Sequence, residues 1–530
     1  MASSELERAK RERERSLELC WRRRSTMVAM GPSRYSKLQN GSDVRGVALG
    51  KPEAVTLTAN RVRNIAHAFA KILKQRAGKE GTGGVRIGVG RDSRVTGREL
   101  CDEAMRGIAD AGLDCAAFDL GLATTPAMYM STITEGFEYS GSIMLTASHL
   151  PYDRNGMKFF TPDGGLAKSD ITEILDAAEK VEAEEAGGDL FTGPDQLSSA
   201  SFMPTYASIL RSHIIAEVGA GDAPLAGLKI VVDAGNGAGG FFAKDVLEPL
   251  GADVSGSQFL EPDGMFPNHV PNPEDADAMR SIQRAVSESN ADLGVIFDTD
   301  VDRSAVVDSK GMAFNKNRLI AAMSAITLRD SPGGTVVTDS VTSDALTDFI
   351  ESRGGRHLRF KRGYKNVIEK GKEIDNCPLM IETSGHGAMA ENHYLDDGAY
   401  MAVKMIIEAA RRKGDLAGLV DGFEEPVEAL EKRVRFGDGA PEGYGTLVVE
   451  DFRSFCKGGD APEGWVSADS NHEGWRVSVL SGGVREGWVL IRQSLHDPLL
   501  VVNAESNAEG GVERYMEVVE AFLDKYEHLS

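Results

Sequence analysis

Nothing in the 530-residue chain stays apolar for long. Its hydrophobic runs, such as residues 143–145, are strand-sized, against the roughly 18 residues a membrane span requires, so no membrane partner is expected. Cysteine is sparse and scattered: Cys20, Cys101, Cys115, Cys377 and Cys456 form no C-x-x-C pair. An odd, dispersed set argues against a disulfide framework and for free thiols in a reducing compartment. Positive charge is in deficit. Lys and Arg number 59 against 81 Asp and Glu, a formal net charge of -22, which argues against a nucleic-acid partner because such binding needs a basic stripe. The glycine turn Gly235-Asn236-Gly237 lacks both the G-x-G-x-x-G spacing and a following P-loop lysine, so it is read as structural.

The first 38 residues form a charged arm. Residues 5–24 mix five Glu with many Arg and Lys. A transit peptide is basic but poor in acidic residues, so the cytoplasm is the expected location. Arg22–Ser25 followed by Met27 and Met30 keeps a plastid as the alternative.

With 41% hydrophobic residues the chain has enough apolar material for several cores, and its length favours several domains. From about Val85 one rhythm repeats: a short β-rich run, a turn, then a helix-period segment. Residues 85–90 and 143–146 read as strands, and 96–111 and 171–186 as helices. The Gly/Ser/Pro-rich stretch 187–201 reads as a linker. The rhythm restarts with strands at 229–232 and 292–297, and with 303–307 as a hairpin partner turning through 308–311. A third cycle has helices at 318–329 and 397–412 around strands at 335–338, 357–360 and 379–381. Past about Gly422 mixed strands precede a last helix at 512–529. This predicts three similar α/β domains with mixed or parallel sheets, residues 39–200, 201–316 and 317–423, followed by an α+β domain, residues 424–530.

Four segments carry chemistry. In Thr146-Ala147-Ser148-His149-Leu150-Pro151, a serine follows a buried strand, where α/β sheets gather ligands. That position predicts an exposed serine, with His149 beside it and the cation Lys158 of Asn155-Gly156-Met157-Lys158 nearby. An ordinary capping turn is the competing reading. Asp298-Thr299-Asp300-Val301-Asp302-Arg303 puts alternate carboxylates on one face of an extended segment. Three such carboxylates repel one another unless a hard cation joins them, which suits magnesium or calcium; a solvated acidic turn is the competing reading. The EF-hand alternative fails because Arg303 stands at its glycine position and no Glu closes a twelve-residue loop. The third segment, Glu382-Thr383-Ser384-Gly385-His386, offers an acceptor, a hydroxyl and an imidazole, a set able to bracket vicinal sugar hydroxyls, and Lys365 of Gly363-Tyr364-Lys365-Asn366 is a candidate for the same mouth. In the fourth, Arg492-Gln493-Ser494-Leu495-His496-Asp497-Pro498, Arg492 can fork onto a phosphate while Ser494 and backbone N–H groups complete an anion nest. Gly90–Arg94 is a charged strand exit, and Asp43-Val44-Arg45-Gly46 sits at the start of the first domain.

The order of these segments resembles the α-D-phosphohexomutase superfamily over roughly residues 39–521. Its T-A-S-H-N-P serine loop matches at Ser148. Its D-G-D-x-D-R metal loop matches at Asp298, Asp300, Asp302 and Arg303. Its G-E-x-S-G-H sugar loop matches at Glu382, Ser384 and His386, and its R-x-S-G-T-E-P phosphate loop at Arg492 and Ser494. The G-R-D-x-R and N-G-x-K elements correspond to residues 90–94 and 155–158. The chain departs at Leu150, Thr299 and Ile381, and most in the fourth loop, where Leu495-His496-Asp497 replaces Gly-Thr-Glu. There His496 is read as a donor in place of the threonine hydroxyl.

The resemblance implies a heart-shaped, four-domain enzyme around a central cleft, a monomer or dimer acting on a phosphorylated hexose. It implies that phospho-Ser148 exchanges its phosphoryl group with hexose 1-phosphate and hexose 6-phosphate, of glucose or mannose, through a hexose 1,6-bisphosphate. It implies Mg2+ on Ser148, Asp298, Asp300 and Asp302, with Arg303 assisting. Lys158, then His149, are the acid/base candidates, while Arg45, Lys365, Glu382, Ser384, His386, Arg492, Ser494 and His496 bind substrate. A phosphoglucosamine mutase, a metal-dependent sugar phosphatase and a catalytically weak sugar-phosphate binding protein are the alternatives.

Overall fold

The computed structural model describes residues 35–51, 54–78, 84–185, 197–219, 221–468, 471–494 and 497–529. Nearly all of the expected N-terminal arm, most of the expected linker, and His496 lie outside the described residues.

The first sheet is built on Gly141–Leu145, a run so uniformly buried that it can only be a central strand. Val85–Arg91 pairs with it in parallel and with Cys115–Leu122 on the other side. Arg154–Thr161 pairs with it antiparallel and carries Asp43–Val47 beyond. The stretch expected to be linker contributes Leu197–Ser199, which extends the sheet in parallel on Cys115–Leu122. Composition there signals a loop, but three residues suffice to satisfy an open sheet edge. The helices Ala59–Arg76, unforeseen from the sequence, and Gly97–Asp110 pack together on one face.

The second sheet runs Ala313–Phe314, Ser304–Asp308, Leu293–Phe297, Ile230–Asp233. Its middle pair is an antiparallel hairpin closed by the 298–303 loop, and Leu293–Phe297 is parallel to Ile230–Asp233. In the third sheet Thr335–Thr338 lies parallel to both Arg356–Arg359 and Leu379–Ile381, with Gly387–Met389 and Leu395–Asp396 returning antiparallel. The fourth sheet is wholly antiparallel: Glu428–Arg435, Leu499–Ser506, Val484–Gln493, Trp475–Ser481, Trp465–Ser467. Three mixed α/β domains and a sheet-rich C-terminal domain are therefore present. The closing helix, Gly511–Leu523, stops six residues short of the expected end.

One apolar core runs from the first domain through the second and third, linking Met128, Phe297, Leu319 and Tyr400. The C-terminal domain keeps its own core around Phe452, Val489 and Phe522. Its ties to the third domain are largely polar: Arg476 donates to the Ser340 carbonyl and to Asp344, and Arg485 to Asp348. No helix among the described residues is long and apolar enough to cross a membrane.

Two glycines admit close backbone approach at the metal loop. A Cβ on Gly237 would lie 2.6 Å from the Thr299 carbonyl oxygen, and one on Gly398 would lie 2.5 Å from the Arg303 carbonyl carbon. The glycine turn read as structural thus buttresses the 298–303 loop from one side. The start of the helix Gly398–Arg412 abuts it from the other, where Gly398 N–H donates to the Val301 carbonyl.

Candidate active site

The buried strands Gly141–Leu145, Leu293–Phe297 and Leu379–Ile381 end at the loops bearing Ser148, Asp298 and Glu382. The carboxyl ends of strands from separate domains supply one site, as open α/β sheets do.

Ser148 sits in the left-handed region at φ 50° and Val301 at φ 66°. Non-glycine residues, above all β-branched ones, hold such backbone only where their surroundings over-determine it. Arg94 supplies that constraint for the serine loop. Fully buried, it donates to the carbonyls of Ser148, Leu150, Pro151 and Arg154, and pairs with Asp92. The Ser148 N–H donates to Thr146 Oγ1 at 2.9 Å. The sequence predicted an exposed serine, but Ser148 is only 3% exposed, because the acidic loop of the second domain closes over it.

Ser148 Oγ donates to Asp298 Oδ2 at 2.8 Å and accepts from Arg303 at 3.1 Å. Arg303 also donates to Asp298 and to His149 Nδ1. A guanidinium only donates, so His149 is a neutral acceptor there. Burial and the Arg303 charge hold its pKa down to about 2. The ring therefore faces Arg303 as an acceptor in this structure.

Asp298, Asp300 and Asp302 are fully buried and bring one oxygen each within 4.8 Å of one another. Burial, then Asp302 and Asp300, push the Asp298 carboxyl well up. Asp302 is held low, because Lys158 and His386 outweigh the cost of its burial. Asp300 accepts from Thr125 Oγ1 at 2.5 Å. One oxygen each of Asp300 and Asp302 has no hydrogen-bond partner. Buried carboxylate oxygens without donors are the signature of a cradle completed by a cation, and an all-oxygen set fits a hard divalent ion.

Lys158 donates to Asp302 at 2.9 Å and lies 3.8 Å from Asp43. Burial works against its charge, yet these carboxylates raise its pKa well above the ordinary value, so the amine is a held ammonium. It can deliver a proton; as a base it acts only after giving that proton up.

In the third loop Glu382 accepts from the Gly363 N–H at 2.6 Å and from Ser384 Oγ at 3.3 Å. Burial and the nearby Asp339 raise its pKa to about 7. His386 donates to Asp396 at 2.6 Å, lies 4.0 Å from Asp302 and stacks on Tyr364. Burial opposes its charge, but Asp396 and Asp302 raise it to about 9.

Two sequence candidates are turned elsewhere. Arg45 is committed to Asp43 and to the Ala147 carbonyl at 2.7 Å, under the serine loop. Lys365 donates to the Gly165 carbonyl in the first domain and does not join the Glu382 group, because the helix Tyr364–Lys372 begins there and swings its side chain away. Arg492 is buried at the end of Val484–Gln493, 3.6 Å from Glu473. Ser494 Oγ accepts from the Asp497 N–H at 3.2 Å, which closes the turn.

Sequence reasoning missed several contributors. Thr125 and Asp396 carry no motif that distinguishes them from other helix starts and strand ends. Arg94 stood inside a segment noted as a charged strand exit, which was the available signal. Tyr364 and Arg362 flanked the considered Lys365, and Asp43 adjoined Arg45. Tyr364 packs between the Lys158 ammonium and His386.

Fold and site together define a multi-domain α/β protein with a buried serine hydroxyl against an acidic cluster able to hold a divalent cation. Comparison with known proteins narrows that class. Residues 36–185, 210–311 and 315–426 match the phosphoglucomutase/phosphomannomutase alpha/beta/alpha domains I, II and III. A phosphomannomutase/phosphoglucomutase of Pseudomonas putida is 31% identical over 490 residues, covering 92% of this chain and 95% of that protein. A Neisseria gonorrhoeae phosphoglucomutase is 28% identical, covering 92% and 96%. Among solved structures, a phosphoglucomutase/phosphomannomutase family protein from Burkholderia thailandensis superposes with a TM-score of 0.74 at 24% identity, over 93% of this chain and 97% of that one. The chain belongs to the phosphoglucomutase/phosphomannomutase family of the α-D-phosphohexomutase superfamily, a family of phosphate-transferring mutases.

Proposed function

We propose that the chain interconverts hexose 1-phosphate and hexose 6-phosphate, of glucose or mannose, by way of a phosphorylated Ser148 and a hexose 1,6-bisphosphate. The observation carrying this reading is the serine hydroxyl 2.8 Å from the acidic cluster with Arg303 on its other side. We assign one domain each to the serine, metal, sugar and phosphate loops, dividing at residues 200, 316 and 423.

In this reading Asp298, Asp300 and Asp302 would hold magnesium, which when bound would supply charge neutralisation at the transferring phosphoryl group. Arg303, aimed by His149, stabilises the same group from the serine side. The Lys158 ammonium protonates the sugar oxygen when its phosphoryl group returns to Ser148, and the resulting amine takes up the hydroxyl proton when the transfer runs the other way. Glu382 and Ser384 bind sugar hydroxyls, His386 lines the same wall, and Arg492, Ser494 and His496 take the phosphate that is not reacting. Arg45 steadies the serine loop from below. Lys365 borders the sugar side of the cleft.

Ser148→Ala tests the mechanism directly. With glucose 1-phosphate, mannose 1-phosphate and a bisphosphate primer, its mutase rate should fall by at least about a thousandfold, and mass spectrometry should find a phosphoryl adduct at Ser148 only in the wild type. Equal rates in the two proteins sink the proposal, as does release of inorganic phosphate without isomeric product.

A further inference from the structure

The loop joining Trp465–Ser467 to Trp475–Ser481 lays Glu473 of the C-terminal domain against the third domain. One of its carboxylate oxygens accepts from Ser340 Oγ at 2.6 Å and from the Arg362 N–H at 3.0 Å. The other lies 3.6 Å from Arg492 Nη1, beyond hydrogen-bond reach, and among the described residues neither it nor Arg492 Nε has a hydrogen-bond partner. Both side chains are under a tenth exposed, 9% for Glu473 and 6% for Arg492. His472 anchors the same loop by packing on Phe360. The guanidinium of Arg362 lies between Asp339, at 3.4 Å, and Glu431, at 4.0 Å, and its charge acts on Arg492.

A buried guanidinium with an unused donor, facing a buried carboxylate with an unused acceptor, is an anion site imperfectly filled. Phosphate carries the same sign of charge, more acceptors, and no tether to hold it at 3.6 Å. We propose that Glu473 is an internal occupant of the site for the substrate's distal phosphate, held on Arg492 until substrate evicts it, and that it thereby sets the affinity for hexose phosphate. This rests on the reading of Arg492 as a phosphate ligand.

A phosphate dianion and the Glu473 carboxylate brought against the same face of Arg492 repel each other strongly. Substrate phosphate must therefore displace Glu473, and displacement breaks its bonds to Ser340 and Arg362, which join the two domains. The C-terminal domain has a core of its own, so its loop can shift by giving up the His472–Phe360 ring contact without disturbing that core. Phosphate binding and release of this contact are then one event, and the carboxylate returns as product leaves.

The test measures KM and kcat for glucose 1-phosphate, and competitive inhibition by inorganic phosphate, in Glu473→Gln, Ser340→Ala and Arg492→Ala. Gln keeps the size and the Ser340 contact but removes the competing charge. KM and the phosphate inhibition constant should fall at least about threefold, with kcat changed less. Ser340→Ala leaves the charge but unpins it and should move both constants the same way by a smaller factor. Arg492→Ala should raise both. If Arg492→Ala raises KM while neither of the other variants lowers it, Glu473 is not a competitor and the proposal is overturned, leaving the phosphate reading intact. If Arg492→Ala leaves KM and phosphate inhibition unchanged, the reading of Arg492 fails and the proposal falls with it.

Discussion

The serine–aspartate centre and the Arg492 region are both buried and both charged, yet they are built differently. Around Ser148 Arg94 alone meets four loop carbonyls, and the left-handed turn is braced from two domains. Among its unpartnered atoms are one carboxylate oxygen each of Asp300 and Asp302, and the three aspartates bring one oxygen each within 4.8 Å of one another. Around Arg492 the guanidinium keeps Nε without a partner among the described residues, and its Nη1 stops 3.6 Å short of the unpartnered oxygen of Glu473. The first region is organised before substrate arrives, as a centre for phosphoryl transfer must be. The second belongs to a domain with its own core, joined to its neighbour by polar contacts that can be exchanged. On the proposed function, the contrast separates where chemistry is fixed from where binding is adjusted.

The sharpest way to break it is at Arg94. Arg94→Ala strips four carbonyls and leaves Asp92 buried without its partner, which should cost about 3–5 kcal/mol of stability. It should also lower kcat by about a hundredfold with little change in KM, because the serine turn loses its frame; thermal unfolding and steady-state kinetics check both. Arg492→Ala should do the opposite: KM up by about thirtyfold or more, with a smaller effect on kcat and on melting temperature. Were both variants to change KM and kcat alike, the division between the regions would be lost.

Glu382 offers a pH test. Its folded pKa, about 7, lies above the ordinary 4.5 through burial and Asp339. A carboxyl raised in the folded state favours the protonated fold, so its contribution is fully present below the unfolded value and lost as pH rises through about 7. Denaturant titrations of the metal-free protein should lose on the order of 3 kcal/mol between pH 4.5 and 7 from this group, and Glu382→Gln should remove that part of the slope. The smallest effect is expected from Thr125→Ala, which deletes one hydrogen bond to Asp300 and should cost about 1 kcal/mol. Isothermal titration with magnesium should show a modest change in affinity.

Much of this was legible in the chain itself. Apolar runs such as 143–145 and 293–297 announce buried strands because a strand covered on both faces needs mostly apolar residues. The alternate aspartates of 298–302 announce a cation because adjacent carboxylates repel one another unless positive charge joins them. Local periodicity and local charge therefore determined the strands, the order of the loops and the identity of the metal cradle. Tertiary structure alone decided what each group is able to do there. His149 was turned from a proton carrier into a neutral prop by an arginine 154 residues later, and Lys158 was locked as an ammonium by Asp302, 144 residues away. Ser148 was buried by a loop from another domain, and Glu473 was brought to Arg492 across a hairpin. Charge state and exposure depend on which groups lie within a few ångströms in a medium that screens poorly. Sequence spacing carries no information about such distances until the chain has folded.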